Sequence, residues 1–594
     1  MGGRSSCIPC GCICGGSPAA ARDAKLQRSG SFWSATSSRV LVRPLPADPV
    51  DDAAGGFEIE VRAVGGVVWR LPGNSGKHTV GAVKARLAAF DPRFSTHRAD
   101  LVLGGGVLAD LDTLEKCGVS SKSKLVCVFT DLRAAVLIVG GGAAGYAAVE
   151  CLSTKLPDQQ IILVDAQEYS ENASGILRAY ADTSTWEDIV ITHEDAISRF
   201  ANARFVQGEL VSLRPGSASI VAFRDNIKFT IRFNYCIIAT GCSWASRGLS
   251  GESLWRPSCL SATRQGSQWP IYDERTVIGR RGHLKEAHLQ LWNLSDRKGS
   301  VLVVGADYLG VEWACDLKHY FPGLRVTIVD PLRRCLAALP IEAAQYAERY
   351  MKEKGIATFY EVNYEPENSY FWQKVGMSKA ADVTYDLRNV SARNGFMPAS
   401  TVSEKGPGGG GWILTNANLQ VCTREAGDRA GQVWSGGRVF AVGDCRYGAV
   451  VNPKLHKREK LQDVNEAFII PPVPKTALAA VYWAEVACTN ILAIMNGWRM
   501  EEAGWPVTAG VLAVSLGQDD GLVAWKVTWT RDSGEVVLTG RAAVEAKRRL
   551  SWPSDPDFLA SPSKWWYAFR DQLPASRRLG AESSRGVLRL NGRS

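Results

Sequence analysis

Short apolar runs that break into glycine set the rhythm of the central chain. Val136 to Val139 is a four-residue apolar run, too short for a helix and suited to a strand buried on both faces. It leads into Gly140-Gly141-Gly142-Ala143-Ala144-Gly145 and a helical stretch through Glu150. Ile161 to Val164 then reads as a second strand, closed by Asp165. The pattern recurs: Val301 to Val304 runs into Gly305-Ala306-Asp307-Tyr308-Leu309-Gly310, and Val326 to Val329 ends in Asp330. Two further apolar runs end in Ala239-Thr240-Gly241 and Gly443-Asp444-Cys445. Strand, glycine turn, helix and strand in this order predict an α/β fold with two Rossmann-like dinucleotide-binding domains.

Upstream the periodicity changes. Phe57 to Val61 alternates apolar and polar, Val67 to Leu71 follows a Gly-Gly turn, and Thr79 is placed to cap a helix through about Leu87. Leu101 to Leu103 and Leu125 to Phe129 complete a ββαββ order that resembles a ubiquitin-like β-grasp domain. The unit ends in Asp131-Leu132 rather than a diglycine, so conjugation is not expected; it is either a passive appended domain or a docking site for a protein partner.

The turn glycines have separate tasks. Gly140 permits the tight turn, Gly142 lets a pyrophosphate approach the backbone, and Gly145 lets the helix lie close to the strand. Phosphates then sit at the helix N-terminus, where free N–H groups and the dipole favour anions. Asp165, about twenty residues on, is positioned for a ribose 2′-hydroxyl. The second turn keeps Gly305 and Gly310 but carries Asp307 at the middle glycine position. A carboxylate there disfavours a pyrophosphate unless it turns away or accepts backbone hydrogen bonds. Asp330 suits NADH, while Arg333 and Arg334 just behind it leave NADPH open. Two such folds imply two cofactors face to face, a flavin reduced by a nicotinamide.

The pieces GGGAAG, NASGILRAYAD (Asn172 to Asp182), ATG, GADYLGVE, VTIVD, FAVGDC, PPVPKTALAA (Pro471 to Ala480) and SLGQDDG (Ser515 to Gly521) carry a resemblance over roughly Ala134 to Ala546. The chain resembles FAD- and NAD(P)H-dependent pyridine nucleotide oxidoreductases, most closely the ferroptosis-suppressor and apoptosis-inducing-factor-like branch, relatives of type II NADH dehydrogenases. The resemblance implies FAD held by Gly140, Gly141, Gly142, Ala143, Ala144, Gly145, Asp165, Arg178, Thr240, Gly241, Gly443, Asp444, Pro474 and Lys475. It implies NADH or NADPH held by Gly305, Asp307, Gly310, Glu312 and Asp330. Asp444 inherits the ribityl contact, and Pro474 with Lys475 lies beneath the flavin ring, Lys475 being the catalytic-site candidate. Pro474 suits the first turn of a helix, whose N-terminus with Lys475 would favour the negative charge of reduced flavin; the same residues also read as an ordinary capped helix with a solvated lysine. One departure concerns the nicotinamide half: Leu387 to Asn394 reads LRNVSARN, with Arg388 and Asn389 where a threonine-glycine or similar pair belongs.

Cysteine placement narrows the acceptor. Ala166 to Ala181 contains no cysteine, Cys315 and Cys335 lie far apart in sequence, and Cys236 and Cys242 flank the ATG strand without forming an obvious dithiol. Electrons are therefore expected to leave the flavin for a small diffusible acceptor such as a quinone. The competing readings are a membrane-tethered FAD-binding scaffold with a degenerate nicotinamide site, and a signalling flavoprotein gated by slow NADH oxidation.

The chain has 594 residues, 46 % hydrophobic and 22 % charged, enough for several globular domains. Expected boundaries are an acylated or disordered segment 1–56, a ubiquitin-like domain 57–130, an FAD-binding domain in two parts 131–250 and 401–470, a nicotinamide domain 251–400, a flavin-facing helix and β region 471–576, and a disordered tail 577–594. The net charge of +9 concentrates toward the two ends, which fits a membrane surface; no nucleic-acid motif is present. Gly2 with Ser6 matches an N-myristoylation pattern, and Cys7, Cys10, Cys12 and Cys14 are palmitoylation candidates. Unmodified disorder and a thiolate metal site are the rival readings of those cysteines, and no complete metal site is expected. The expected location is cytoplasmic with a lipid anchor on a membrane, the alternative being an organelle reached by a transit peptide. The apolar stretch Ala477 to Trp498 contains Glu485 and Asn490 and reads as a core helix. Gly406 to Gly411 reads as a flexible loop, and Lys564 to Tyr567 with Phe569 and Arg570 as an aromatic-basic cluster, either at a membrane interface or over the core.

Overall fold

The computed structural model describes residues 42–44, 56–243, 273–447 and 476–551, apart from 64–65, 92, 110–111, 122, 224–227, 378–379, 389, 427, 505–509, 526 and 528–532. The candidate lipidation residues Gly2, Cys7, Cys10, Cys12 and Cys14, the pair Pro474 and Lys475, the aromatic-basic cluster and the tail from 577 all lie outside the described residues.

The first unit is a mixed sheet. β1 (Phe57–Ala63) and β2 (Val68–Asn74) pair antiparallel, α1 (Val80–Ala88) follows, and β3 (His97–Leu103) and β4 (Lys124–Asp131) close the sheet in the order β2-β1-β4-β3, with β4 parallel to β1. Thr79 caps α1 by accepting the Ala82 N–H at 3.1 Å. The alternation seen in sequence turns Ile59 and Val61 inward to meet Trp69, Leu71, Leu87 and Leu125 in a core of their own.

β4 passes directly into the first nucleotide fold. β5 (Arg133–Val139) carries the glycine turn, and α2 (Ala143–Lys155), β6 (Ile161–Asp165), α3 (Ile176–Ala181), β7 (Ala203–Arg214), β8 (Ser217–Ala222) and β9 (Lys228–Ile238) follow. β5 starts at Arg133 rather than Val136 because β9 is long enough to pair with it from Arg232 onward. β6, β5 and β9 are mutually parallel at the centre of the sheet.

A long helix, α4 (Val277–Asp296), leads into the second fold. Its sheet is wholly parallel, in the order β12-β11-β10-β13, formed by β10 (Ser300–Val304), β11 (Arg325–Asp330), β12 (Ala357–Tyr360) and β13 (Val383–Asp386). Helices α5 (Tyr308–Tyr320) and α6 (Ile341–Glu353) make the crossovers. The chain then returns, and β14 (Val439–Ala441) adds to β9 as the last parallel strand of the first sheet.

α7 (Ala477–Asn496) lies along α2, with Ala147, Ala148, Ala484 and Ala487 buried in one cluster, so the two helices approach closely. Among the described residues it is the helix long and apolar enough to cross a membrane, and two-thirds of its most apolar window is buried. Asn490, fully buried, bonds the backbone of Asn418 and Glu501, so its polar group is met by protein. A three-stranded antiparallel sheet, β15 (Leu512–Leu516), β16 (Asp520–Trp525) and β17 (Glu535–Thr539), and the helix α8 (Arg541–Ser551) complete the described chain. The Gly406–Gly411 loop is packed rather than free: a Cβ on Gly408 would lie 2.5 Å from the Val390 carbonyl, and the Gly411 carbonyl accepts a bond from Asn394 at 3.0 Å.

Candidate functional site: two glycine turns across a cleft

At the first turn, sterics require a glycine at Gly140, Gly141 and Gly145. A Cβ on Gly145 would lie 1.9 Å from the Gly140 carbonyl, which is how α2 comes to rest against its own strand. Gly140 adopts φ +103, and a Cβ there would strike the Ala239 carbonyl at 2.4 Å. Gly141 has a reason that sequence reading missed: its Cβ would lie 2.0 Å from the His193 ring. His193 is fully buried, takes the Tyr146 hydroxyl at Nδ1 at 2.8 Å, and holds Nε2 3.8 Å from Asp165. Asp165 accepts the Gly141 N–H at 2.7 Å and the Gln167 N–H at 2.9 Å, so its carboxylate locks the turn it was expected to serve.

Gly142 is different. It is the N-cap of α2, makes no side-chain cap, and has nothing within 4 Å of a Cβ position. The helix N-terminus beside Gly142 therefore has room for a ligand, and a helix start presents N–H donors, the seat a pyrophosphate requires.

Three loops converge on that seat. Gly443, at φ +67, would bring a Cβ within 3.1 Å of the Ala480 methyl and 3.8 Å of the Ala144 methyl. The Gly443–Asp444–Cys445 turn thus lies between the first turns of α2 and α7. Thr240 donates to Asn394 Oδ1 at 3.0 Å, and the Asn394 amide donates to the Gly411 and Cys445 carbonyls, both at 3.0 Å. Asn394, at the end of LRNVSARN, therefore ties the ATG strand end beside Gly241 to the Asp444 turn. In sequence the stretch stands out only as a departure from the family's threonine-glycine and proline-asparagine pattern, and the partners of Asn394 are remote. A side-chain-free cradle beside a carboxylate-bearing turn fits FAD.

The second turn repeats the steric plan. Gly310 would place a Cβ 1.8 Å from the Gly305 carbonyl, and Asp330 accepts the Ala306 and Leu332 N–H groups, each at 2.7 Å. Asp307 departs from it: as the N-cap of α5 it accepts the Tyr308 N–H at 2.8 Å. It is open to the cleft yet crowded by protein, and burial, with Asp330 adding, pushes its carboxyl up to about 6. Arg388 forks onto Asp386 at 2.8–3.0 Å, and its Cγ lies 3.0 Å from a Cβ position on Gly305. Arg334 is committed to the carbonyls of Cys335, Leu336, Ala337 and Leu339, whereas Arg333 is exposed beside Glu361. Of the two arginines behind Asp330, only Arg333 is placed to meet a 2′-phosphate.

The sequence pattern of the pyridine nucleotide-disulphide oxidoreductases matches residues 134–469, a stretch that holds both turns and the Asp444 loop. The chain belongs to this family. It is an NAD(P)H-dependent flavin oxidoreductase, and its cofactors are FAD and NAD(P)H. It is 23 % identical to the type II NADH:quinone oxidoreductase of Staphylococcus aureus (strain NCTC 8325 / PS 47) over 410 residues, covering 66 % of this chain and 89 % of that protein. The fold is similar to the sulfide:quinone oxidoreductase of Aquifex aeolicus, with a TM-score of 0.50, 16 % identity, and coverage of 76 % of this chain and 95 % of that one. A water-forming NADH oxidase from Lactobacillus brevis also matches, with a TM-score of 0.43, 15 % identity, and coverage of 67 % and 76 %.

Within this family member, two expected ligand residues are turned elsewhere. Glu312 accepts the Ser515 N–H at 2.8 Å and pairs with Lys547 of α8, so its carboxylate braces the second fold against the C-terminal sheet and helix. Burial is the larger influence on it and raises its carboxyl despite the lysine. Arg178 donates to the Gly517 carbonyl at 2.9 Å, faces Asp316 at 3.8 Å and lies over the Tyr320 ring, an interdomain clamp. Lys547 escaped notice because it lies 235 positions from its partner. Among the described residues α7 begins at Ala477 with Thr476 as its cap, Oγ1 accepting the Ala479 N–H at 3.3 Å.

Tyr308, the first residue of α5, lies within electrostatic range of groups from both folds. Asp307, Asp444 and Cys242 all act electrostatically on its phenol, which burial holds well above the ordinary tyrosine range. The thiols are arranged otherwise than in a flavin-side dithiol. Cys236 is buried in β9 and pushed above the ordinary thiol range, and Cys445 donates to the Ile238 and Val442 carbonyls. The pair in mutual hydrogen bond is Cys151 of α2 with Cys488 of α7, which sequence separation concealed. Cys151 stands about 12 Å along α2 from the glycine turn at 1.5 Å per residue.

Proposed function

We propose that this chain passes electrons from a nicotinamide dinucleotide through FAD to a quinone-like acceptor at a membrane surface. The observation that carries it is the pair of strand-turn-helix seats in one chain, the first left open at Gly142 and joined by the Gly443–Cys445 turn. Bound FAD would supply the capacity to take a hydride from the nicotinamide and release its electrons to a second acceptor. The chain's residues hold and orient: Gly142 leaves the phosphate seat open, Asp444 and Thr240 border the cofactor's path, and Asn394 fixes those two loops together. Catalysis would come from proximity and a preset electrostatic field rather than from a general acid or base. A quinone is favoured over a disulfide by the absence of cysteine from Ala166 to Ala181 and by the similarity to an enzyme named as a quinone reductase.

The β-grasp-like strand order of residues 57–131 supports reading that unit as ubiquitin-like, an appended module available to a protein partner. Acylation at Gly2 and among Cys7, Cys10, Cys12 and Cys14 would hold the enzyme on a cytoplasmic membrane face, a single acyl chain being insufficient alone. Placement in the ferroptosis-suppressor and apoptosis-inducing-factor-like branch rests on the motifs quoted above. A scaffold with a dead nicotinamide site is the second reading, favoured by Asp307 at the helix N-terminus. Anaerobic mixing of the purified holoprotein with NADH and with NADPH decides between them, followed by a soluble quinone analogue. Bleaching of the flavin and recovery on adding quinone is expected; no bleaching with either nucleotide would overturn the enzymatic reading.

A further inference from the structure

The two glycine turns treat their helix N-termini in opposite ways. Gly142 leaves the seat at α2 open, whereas Asp307 folds its own carboxylate onto the first N–H of α5. A helix N-terminus attracts an anion because its free N–H groups and dipole converge there. Asp307 does accept a backbone hydrogen bond, but from a helix N–H that a pyrophosphate would use, so it competes for that donor and, when ionised, repels the anion. The surrounding charges add to that repulsion. Asp330 closes β11 and holds the Ala306 N–H; Asp386 closes β13; the cations are Arg388, forked onto Asp386 beside Gly305, and Arg333 and Arg334 behind Asp330. The first fold brings Asp444 and Cys242 to bear through Tyr308, and Glu312 stands a turn along α5, paired with Lys547. Among the described residues, carboxylates outnumber cations around this turn.

We infer that Asp307 sets the affinity of the nicotinamide site, yielding the α5 N-terminus to the dinucleotide pyrophosphate when neutral and resisting it when ionised. The inference rests on reading the second turn as the nicotinamide seat. Its switching range is physiological, because burial, opposed by the Tyr308 N–H and reinforced by Asp330, pushes the Asp307 carboxyl up to about 6. Acidification then tightens binding.

ADP-ribose tests this on the FAD-loaded protein by calorimetry, since it carries the pyrophosphate but neither a hydride nor a titrating 2′-phosphate. If only the neutral form binds well, the wild-type dissociation constant should rise roughly 25-fold between about pH 5.5 and about pH 7.5. Asp307→Asn keeps a cap acceptor without the charge, so it should bind with nearly constant affinity and, at the higher pH, roughly 30-fold more tightly than wild type. Asp307→Gly should bind at least as tightly as Asp307→Asn. If NADH bleaches the wild-type flavin but ADP-ribose affinity is flat with pH and unchanged by Asp307→Asn, the inference is overturned while the nicotinamide site stands. If no variant binds ADP-ribose at any pH and NADH bleaches nothing, the nicotinamide reading fails with it.

Discussion

Replacing Lys547 with Met would strand the Glu312 carboxylate at the junction between the second fold and the C-terminal helix. Both side chains are nearly inaccessible, 6 % exposed for Glu312 and 9 % for Lys547, and Asp316 contributes like charge nearby. Methionine keeps much of the lysine's length and fills irregular space, so lost packing is minor. Breaking a buried pair from one side costs about 3–5 kcal/mol, against about 0–1 kcal/mol for an exposed pair. The sign with pH is set by Glu312, whose folded carboxyl already titrates above the ordinary value of 4.5 because of burial. Removing the lysine raises it further, so the loss of stability should be small below that value and grow as the pH climbs above it. Urea unfolding of the holoprotein, followed by tryptophan fluorescence at several pH values, measures this; Trp313 is buried beside Glu312 and reports on the junction. Adding Glu312→Gln to Lys547→Met should restore most of the stability. A loss under about 1 kcal/mol, or one independent of pH, would refute the buried-pair account.

Further outcomes follow from the two turns and the N-terminus. The purified protein should be yellow, and Asp444→Ala should weaken FAD retention by about 0.5–3 kcal/mol, read from flavin released on dilution. Gly141→Ala should impair both folding yield and flavin content, because its methyl has no room beside the buried His193 ring; a stable, fully flavinylated variant would contradict the packing. Asp330→Ala should raise the KM for NADH more than that for NADPH, since the 2′-hydroxyl needs that acceptor and a phosphate does not; equal effects would remove its role in discrimination. Gly2→Ala should shift the protein to the soluble fraction of lysed cells while leaving quinone-analogue turnover intact, and mass spectrometry showing an unmodified Gly2 in the native protein would refute the anchor.

The backbone of the site was legible in the chain because its requirements are local. A glycine whose Cβ would lie 1.9 Å from a neighbouring carbonyl, as that of Gly145 would, leaves a mark at a fixed distance from its strand. An acid that closes a strand, as Asp165 and Asp330 do, is likewise fixed by spacing. The side-chain partners were not legible, because they come from packing between remote elements. Glu312 sits where a dinucleotide contact was expected, but the Ser515 N–H and Lys547 claim its carboxylate. Arg178 lies in a stretch expected to serve FAD and instead clamps the Gly517 carbonyl. Asn394 ends a stretch that stands out only for its departure from the family's pattern; its meaning appears only when Thr240, Gly411 and Cys445 are brought together. His193, the ring that forbids a side chain on Gly141, is of the same kind.

The late return of β14 to the first sheet has a consequence for biosynthesis. β9 ends at Ile238 and its parallel neighbour begins at Val439, with the whole second sheet emerging from the ribosome between them. At about 5–20 residues per second, translation of that interval takes on the order of 10–40 s. Throughout it the inserted sheet, complete by Asp386, can assemble, while the outer one still shows the bare edge of β9. An exposed strand edge invites pairing with foreign chains. Nascent molecules therefore pass through a window in which the flavin cradle lacks the Asp444 turn and its Asn394 brace, and cofactor capture must wait until after that window. FAD can accordingly protect the chain only once Val439 to Ala441 has joined β9, and during the preceding interval the bare edge must be guarded by other means.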